Sequence, residues 1–551
     1  MGMSSPLLRR LSILAGGLLL ALATPSVDAQ TSDKYGGRLT YAEKESVNEF
    51  NPYQLQEPRP ASDRLFTLLY GTLVSYDYVR EKVVPGLAKD WSVSPEGVPA
   101  VEQITFELRD DAQWHDGESL TAEDVAFTYE YVVGVRAGTN KQALKRFASL
   151  VDSVQTDVSN GTVTFHLVRP TTKPAQRFSS LWIIPEHKFN DRYVSKDGEK
   201  SLGENPVGTG PYQFVEKSLD GSIKLTAFEE YWGTGPYIGT TEMRRTLDPS
   251  TMASQALGGN IQLIVETPPD QIGRLDQSGQ FTLKSYQSLS FNAFGYNNNG
   301  PILGQKEVRQ ALTHAVDRKS LLKQWYQNKG QVIGGPLVPA HPYYNQSVQP
   351  REHDLDKART LLSEAGYEDR DGDGIRETEK NKELRFQLVT LKPKAAQSTR
   401  RQNVAQSYAE QLAEAGVKVE VVSRVKSVYL EKIFEKKDFD IAWVKWEFDP
   451  SYDISSLFLS KNSSTGGDNI TNYSNQKVDK LIRGFRKASD PEAKRNYMYE
   501  IQNIIHEDVP YTFLYTIENW TSISIELITT RVDPYYFFSY YNNWYVDPAV
   551  R

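Results

Sequence analysis

The chain of 551 residues has no cysteine, 63 Lys and Arg residues, 70 Asp and Glu residues and a formal net charge of −7. A chain with evenly mixed charges and an acidic balance lacks the basic stripe that nucleic acid requires, so we expect no nucleic-acid partner. Without cysteine there is no disulfide framework and no thiol for a lipid anchor, and seven scattered histidines make a transition-metal site built from protein ligands a poor hypothesis.

The N-terminal segment has the pattern of a cleavable export signal. Arg9 and Arg10 precede an apolar run over residues 11–23, and small residues at Val27 and Ala29 suit a cleavage site. An apolar run of about 13 residues is shorter than the ~20 residues that span a bilayer. The pattern therefore predicts a signal peptide at residues 1–29 and a product without a membrane anchor, for which we expect the bacterial periplasm.

The stretch that follows is typical of strands and turns, with one helix. The alternating sequence ITFELRDDAQWHDG predicts a strand that ends in a turn. Thr121 and Asp124 then have the spacing of a helix N-cap and its reciprocal partner. Further on, Asn160-Gly161 lies between two alternating runs, which predicts a β-hairpin.

From about residue 287 the pattern changes to alternating helices and strands. Apolar residues recur at helical spacing in EVRQALTHAVDR, in DLDKARTLLSEAGY and in NVAQSYAEQLAEAG. The second and third of these segments stop at Gly366 and Gly416, and the third is followed by an alternating strand that begins at Val417. Helix, glycine stop and short strand together predict an α/β domain.

The sequence DRDGDGIRE resembles the start of a calcium loop. Asp369, Asp371, Asp373 and Gly374 occupy positions 1, 3, 5 and 6 of such a loop, but position 12 is Lys380, where calcium takes a bidentate Glu. The downstream sequence ELRFQLVT is typical of a strand rather than of a second helix. We interpret the segment as a tight turn into a hairpin, and whether it holds a cation stays open.

The sequence KWEFDPSYD follows the apolar run FDIAWV and raises a functional question. The run predicts a central strand, and Asp449 comes just beyond its carboxyl end, where open α/β sheets bind their ligands. A carboxylate that is shielded from water prefers a cationic partner, so Asp449 is a candidate for ligand binding. The alternative is that Asp449-Pro450 only forms a turn.

Several stretches together resemble the extracellular solute-binding proteins of the oligopeptide and nickel class, which are the capture subunits of ABC importers. The resemblance lies in LLYGTLVSYD, VVPGLAKDWSVS and ITFELRDDAQWHDGESLTAEDVAFTYE, followed in the same order by NPVGTGPYQF, EEYWG, VRQALTHAVDR and DLDKARTLLSEAGY. It covers residues 37 to 515 and implies an α/β fold of two lobes that close on a ligand. The implied division is lobe I at 30–72, 205–286 and 515–551, an extra domain inserted into lobe I at 73–204, and lobe II at 287–514.

The resemblance also implies roles for individual residues. In peptide-capturing relatives, a strand that ends in W-x-x-D supplies the aspartate that pairs with the α-ammonium of the ligand, and Trp446 and Asp449 match that motif. The neighbouring Lys445 is a candidate partner for a ligand carboxylate, or else it neutralises Asp449. Three further candidates lie in stretches that face the cleft in relatives, namely Glu45, Asn48 and Tyr70.

The resemblance implies a periplasmic protein that captures a short peptide or peptide-like solute and delivers it to an ABC permease complex in the inner membrane. We expect a monomer without a cofactor, a bound metal or a catalytic residue. The alternative ligands are a glycoside, an opine or a metal chelate. A secreted hydrolase is a further alternative, but the chain has no G-x-S-x-G, no H-E-x-x-H and no phosphate loop, and we interpret His115-Asp116-Gly117 as a structural turn.

Overall fold

The structure is a computed structural model that describes residues 34–55, 60–77, 80, 82–98, 100–132, 147, 150–171, 173–189, 202–393, 399–448, 453–488, 490–529, 538 and 540–550. The predicted signal peptide lies outside these residues. In the part of the chain that is described, no helix has both the length and the apolar character needed to span a bilayer.

The strands of the described part, in chain order, are β1 (Arg38–Glu43), β2 (Val74–Asp77), β3 (Lys82–Pro85), β4 (Ala88–Ser94), β5 (Val101–Leu108), β6 (Val151–Asp157), β7 (Thr162–Thr171), β8 (Tyr212–Lys217), β9 (Ile223–Ala227), β10 (Thr240–Arg245), β11 (Leu263–Ile264), β12 (Phe281–Gln287), β13 (Ser290–Tyr296), β14 (Gly330–Val332), β15 (Arg385–Leu391), β16 (Lys418–Arg424), β17 (Ile441–Glu447), β18 (Tyr511–Ser524), β19 (Leu527–Ile528) and β20 (Tyr545–Val546).

The α-helices of the described part are α1 (Pro60–Leu69), α2 (Ala122–Glu130), α3 (Pro249–Leu257), α4 (Ile272–Gln277), α5 (Lys306–His314), α6 (Arg318–Tyr326), α7 (Leu355–Glu364), α8 (Arg400–Glu414), α9 (Lys426–Leu430), α10 (Ser455–Phe458), α11 (Gln476–Lys487) and α12 (Pro491–Asp508). Short 3₁₀ segments occur at Pro174–Ser180, Glu186–Lys188, Ser460–Ser463, Tyr541–Asn543 and Pro548–Val550, and a π-helical turn continues α9 at Glu431–Lys436.

One long sheet runs through both halves of the molecule, and β18 is its shared strand. The strand order is β16-β15-β17-β13-β18-β11-β1-β10-β9-β8, and β12 and β14 also pair with β18. Residues 511–517 of β18 pair with β13 and β14, whereas residues 518–524 pair with β12 and β11. We therefore call residues 34–287 and 518–550 lobe I and residues 290–517 lobe II; β18 and the short link between β12 and β13 connect them.

Each lobe has its own hydrophobic core. In lobe II the sheet is covered on both faces, by α5, α6 and α8 on one side and by α11 and α12 on the other. The main core of lobe I joins α1 to a separate four-stranded sheet of order β4-β5-β7-β6, and it also contains Phe538, Tyr541 and Trp544 from the C-terminal stretch. Tyr541 is fixed there by a 2.6 Å hydrogen bond between its hydroxyl and that of Thr241. The two-lobed α/β fold expected from the sequence is confirmed.

Two local predictions in lobe I are confirmed. The Thr121 hydroxyl accepts a hydrogen bond from the backbone N–H of Asp124, and the Asp124 carboxylate accepts one from the backbone N–H of Thr121, so α2 begins with a capping box. β6 and β7 form the predicted hairpin, and Gly161 takes the φ of +61° that its turn requires.

The helices of lobe II follow the predicted apolar pattern, with one difference. In α5 the whole predicted stripe is buried, whereas in α7 only Ala358 and Leu362 are fully buried and Leu361 and Ala365 are half-buried. The difference arises because α7 packs mainly on α5, and a helix that packs on a single neighbouring helix buries a narrower stripe.

Candidate functional site

A cavity of about 220 Å³ lies between the two lobes, where the connections cross. α1 and Glu266, two residues after β11, line it from lobe I, the end of β17 lines it from lobe II, and the connections form its back wall. The lining residues are Pro60, Asp63, Arg64, Thr67, Glu266 and Tyr286 from lobe I, Ser290, Lys445, Glu447 and Phe448 from lobe II, and Ser288, Leu289 and Asn519 from the connections. A solute held here touches both lobes at once.

The sequence of α1 explains why its polar side chains reach this cavity. Its buried residues include Ala61, Leu65, Phe66 and Leu69, which pack into the core of lobe I. Asp63 and Thr67 are four residues apart and Arg64 adjoins them, so these three side chains share the opposite face of the helix. The apolar face of α1 thus fixes the position of the polar face in the cleft.

Arg64 forms a buried ion pair with Glu43, which lies at the end of β1. Its Nη2 donates to both carboxylate oxygens of Glu43 at 2.8 Å, and its Nε donates to Oε2 at 3.0 Å. Burial raises the pKa of Glu43, and the charge of Arg64 offsets part of that shift. Glu266 adds a second carboxylate at 4.0 Å from Arg64. The guanidinium is therefore already engaged by protein carboxylates.

Asp63 is the exception among these charged groups. Its carboxylate is accessible from the cavity, and among the described residues no side chain or backbone N–H donates a hydrogen bond to it. Asp63 is exposed as a residue, and desolvation by the protein atoms near its carboxyl group raises its pKa to about 6. The positive charge of Arg64 lowers the pKa, whereas the negative charges of Glu447 and Glu45 raise it. Asp63 is thus an exposed carboxylate on the cavity wall without a hydrogen-bond donor among the described residues.

On the lobe II side, β17 divides its side chains between two faces. Lys445 and Glu447 are exposed and line the cavity, and the Lys445 ammonium forms an ion pair with the Glu447 carboxylate. Trp446 projects to the opposite face, where its ring meets Phe434 edge to face at 6.2 Å between ring centroids. Strand alternation therefore brings Lys445 into this cavity and directs Trp446 into the packing of lobe II.

Asp449 lies outside the described residues. Phe448, its neighbour in the chain, lines the cavity, and its backbone N–H donates to the carbonyl of Leu289 at 2.8 Å. Its role as a ligand carboxylate stays a prediction.

The three lobe I candidates do not line the cavity between the lobes. Glu45 is exposed, and its charge acts on Asp63 in lobe I and on Lys426 in lobe II. Burial lowers the pKa of Lys426, and the negative charge of Glu45 offsets part of that shift. Asn48 is exposed, and its Oδ1 accepts a hydrogen bond from Lys217 at 2.9 Å. Tyr70 is buried, and its hydroxyl donates to the carbonyl of Phe50 at 2.9 Å.

Tyr70 instead lines a second cavity, of about 360 Å³, inside lobe I. This cavity lies between α1, β2, residues 209–211, residues 231–234 and the C-terminal stretch, and its aromatic wall includes Trp182 and Trp232. The Arg109 guanidinium lies 4.6 Å from the ring centroid of Trp232. Thr67 lines both cavities, so α1 separates them.

Sequence reasoning missed Asp63, Arg64, Glu266 and Glu447 as residues of this cavity. A signal was present in PASDRLFTLL, where a charged pair sits on the polar face of an otherwise apolar helix. That pattern is common on surface helices. The pairing of β1 with β11 and of β11 with β18, which the sequence does not reveal, places the polar face of α1 opposite β17.

The acidic loop at 369–374 is the turn expected from its sequence. Backbone N–H groups of Gly372 and Gly374 donate to the Asp369 carboxylate, and isolated bridges pair Glu377 with Glu368 and with Glu383. The three aspartates are exposed and offer carboxylate oxygens within 4.8 Å of one another. Because exposed carboxylates adopt such spacings without an ion, we assign no cation to the loop.

His115 has the structural role predicted for it. The N–H of Gly208 donates to Nδ1, so Nε2 carries the proton and donates to the carbonyl of Gly210 at 2.9 Å. Burial lowers the pKa of His115 to about 4, so the ring is neutral near pH 7.

Comparison with known proteins gives concordant results along nearly the whole chain. The sequence model described as "Bacterial extracellular solute-binding proteins, family 5 Middle" matches residues 82–469. The dipeptide-binding protein of Escherichia coli strain K12 is 28% identical over 525 residues, which cover 91% of this chain and 93% of the relative.

Solved structures give the same result for the fold. The oligopeptide-binding protein AppA from Bacillus subtilis, solved in complex with a nonapeptide, is 26% identical with a TM-score of 0.75 over 93% of this chain and 99% of AppA. NikA from Brucella suis, solved in complex with Fe(III)-EDTA, has a TM-score of 0.78 at 22% identity over 93% of this chain and 100% of NikA. At that identity the likeness to NikA concerns the fold alone.

Proposed function

The chain belongs to family 5 of the bacterial extracellular solute-binding proteins, and from this premise we propose that it captures a short peptide or peptide-like solute for an ABC importer. Two relatives reported above are a dipeptide-binding and an oligopeptide-binding protein, which favours peptide over the other solutes of the family. Relatives named as solute-binding proteins favour capture without chemical turnover. We propose the periplasm as its compartment, an inner-membrane permease complex as its partner and the monomer as its working form.

The observation that carries this proposal is the cavity between the lobes. Its walls come from both lobes, which β18 and the link between β12 and β13 connect in the described part of the chain. A solute that contacts α1 and the end of β17 together gains contacts only when the lobes are close. Such a solute shifts the balance between open and closed forms by its differential affinity for the closed form. Closure in turn presents a distinct surface to a permease.

The polar lining suits a charged, zwitterionic guest. Asp63, Glu266 and Glu447 offer carboxylates, and Arg64 and Lys445 offer cations, within one small space. In this proposal Asp449 receives the α-ammonium of the peptide, as the W-x-x-D resemblance implies, and Lys445 exchanges its ion pair with Glu447 for the peptide carboxylate. Charge-assisted hydrogen bonds at both ends would orient the guest.

Isothermal titration calorimetry with a panel of dipeptides to pentapeptides, followed by small-angle X-ray scattering, tests this function. We expect heat on binding and a smaller radius of gyration with a bound peptide. A sugar, opine or chelate panel run beside it separates the solute classes. Binding of one of those solutes and of no peptide would contradict the peptide assignment, and release of a cleaved product would contradict the absence of turnover.

A further inference from the structure

The charges that line the cavity between the lobes do not cancel. The cavity carries three carboxylates, Asp63, Glu266 and Glu447, and two cations, Arg64 and Lys445. Both cations already have carboxylate partners, since Arg64 binds the buried Glu43 and Lys445 binds Glu447. Asp63 is therefore left without a cation of its own among the described residues.

This imbalance leaves an excess of negative charge on the cavity wall. Asp63 has protein atoms around it, and the negative charges of Glu447, from the opposite lobe, and of Glu45 act on it unfavourably. The same repulsion opposes the approach of lobe I to lobe II. A guest cation next to Asp63 would relieve both effects, because its charge is opposite to those of Asp63 and Glu447.

The volume of the cavity indicates which part of a guest reaches Asp63. At about 220 Å³ it is smaller than the ~300–1,000 Å³ of sites that enclose a whole ligand. It suits one extended group of the guest rather than its whole length. The wall near Asp63 also provides the hydroxyl-bearing Thr67 and Tyr286, which accept hydrogen bonds from an ammonium or guanidinium group.

We propose that Asp63 is a specificity-determining residue that binds a basic side chain of the peptide, so that the protein prefers peptides containing lysine or arginine. This inference rests on the proposed function. A basic side chain beside Asp63 would lie between the carboxylate of Asp63 on lobe I and that of Glu447 on lobe II, which line the same cavity. Arg64, Glu447 and Glu45 are the charged groups that act on Asp63, and Glu266 and Lys445 line the same cavity.

The test compares two peptides that differ only in one charge, Ala-Lys-Ala and Ala-norleucine-Ala, by calorimetry at pH 7.5 and low salt. Wild-type protein should bind the lysine peptide about tenfold or more tightly than the norleucine peptide, the effect of one charge-assisted contact. In Asp63→Asn that preference should fall to about threefold or less, and Asp63→Glu, which keeps the charge, should restore part of it. Asp276→Asn, the same change on the exposed face of lobe I helix α4, is the matched control and should keep the full preference.

The outcomes separate this inference from the proposed function. Equal affinity of wild type for the two peptides, or an unchanged lysine preference in Asp63→Asn, overturns the role of Asp63 while peptide capture stands. Binding of neither these peptides nor any other peptide overturns the proposed function and the role of Asp63 with it. Circular dichroism of each variant checks that it is folded, and the wild-type comparison decides the charge preference even if a variant does not fold.

Discussion

Replacing Arg64 by methionine should destabilise the protein strongly, because it leaves Glu43 buried without its cation. The Glu43 side chain is 5% exposed and that of Arg64 10% exposed, and the three hydrogen bonds between them are 2.8–3.0 Å long. Removing one partner of a buried ion pair costs about 3–5 kcal/mol. Because Arg64 keeps some contact with water in the cleft, we expect a loss near the lower end, about 3 kcal/mol.

Urea unfolding followed by circular dichroism measures this loss as a shift in midpoint at constant slope. The double variant Glu43→Gln/Arg64→Met removes both charges and should recover most of the stability, since an uncharged pair of similar volume has no buried charge to stabilise. Lys89→Met is the control: it breaks the exposed ion pair with Glu107 and should leave the midpoint almost unchanged.

The effect of Arg64→Met should also depend on pH. Burial already raises the pKa of Glu43, and loss of the guanidinium raises it further. A carboxyl group whose pKa is higher in the folded state than in the unfolded state binds more protons when the protein is folded. The variant therefore regains stability as the pH falls towards the pKa that Glu43 has in the unfolded chain. A loss no larger than that of Lys89→Met, or a double variant as unstable as the single one, would refute this account of the ion pair.

Three further predictions concern binding and local stability. Asp449→Ala should weaken peptide binding by about tenfold or more in calorimetry, with the melting temperature of the free protein unchanged; equal affinity would exclude Asp449 as the ligand carboxylate. The affinity for Ala-Lys-Ala should fall as the pH drops from 7.5 through about 6, because protonation neutralises Asp63, and this slope should be absent in Asp63→Asn. Thr121→Ala should lower the free energy of unfolding in urea by about 1 kcal/mol, because the N-cap of α2 is lost. Asp124→Ala should lower it more, because the buried Asp124 carboxylate also accepts a hydrogen bond from the backbone N–H of Glu186 at 2.9 Å. Equal losses for the two variants would contradict this prediction.

Much of the fold followed from patterns of neighbouring residues. The capping box at Thr121, the turn at Gly161 and the apolar stripe of α5 depend on contacts within a few residues, so the sequence carries them directly. The two-lobed arrangement depended on the resemblance to a family. Periodicity alone cannot show that β18 pairs with lobe II over its first half and with lobe I over its second.

The site was harder to predict because it is assembled from distant segments. Lys445 was proposed because it neighbours the W-x-x-D motif that follows an apolar run, and strand alternation separates it from Trp446. Asp63 and Arg64 face Glu447 across nearly four hundred residues of chain, and nothing local distinguishes their helix from an ordinary amphipathic one. Tyr70 shows the converse: its stretch matches one that faces the cleft in relatives, yet its ring belongs to the core of lobe I.

Native mass spectrometry of the protein, purified gently from the bacterium that exports it, tests peptide capture most directly. The account predicts a complex that exceeds the free chain by the mass of a short peptide, and fragmentation of the released ligand should give a peptide series that includes lysine or arginine. A released ligand with the mass and fragments of a sugar, an opine or a metal chelate would contradict it.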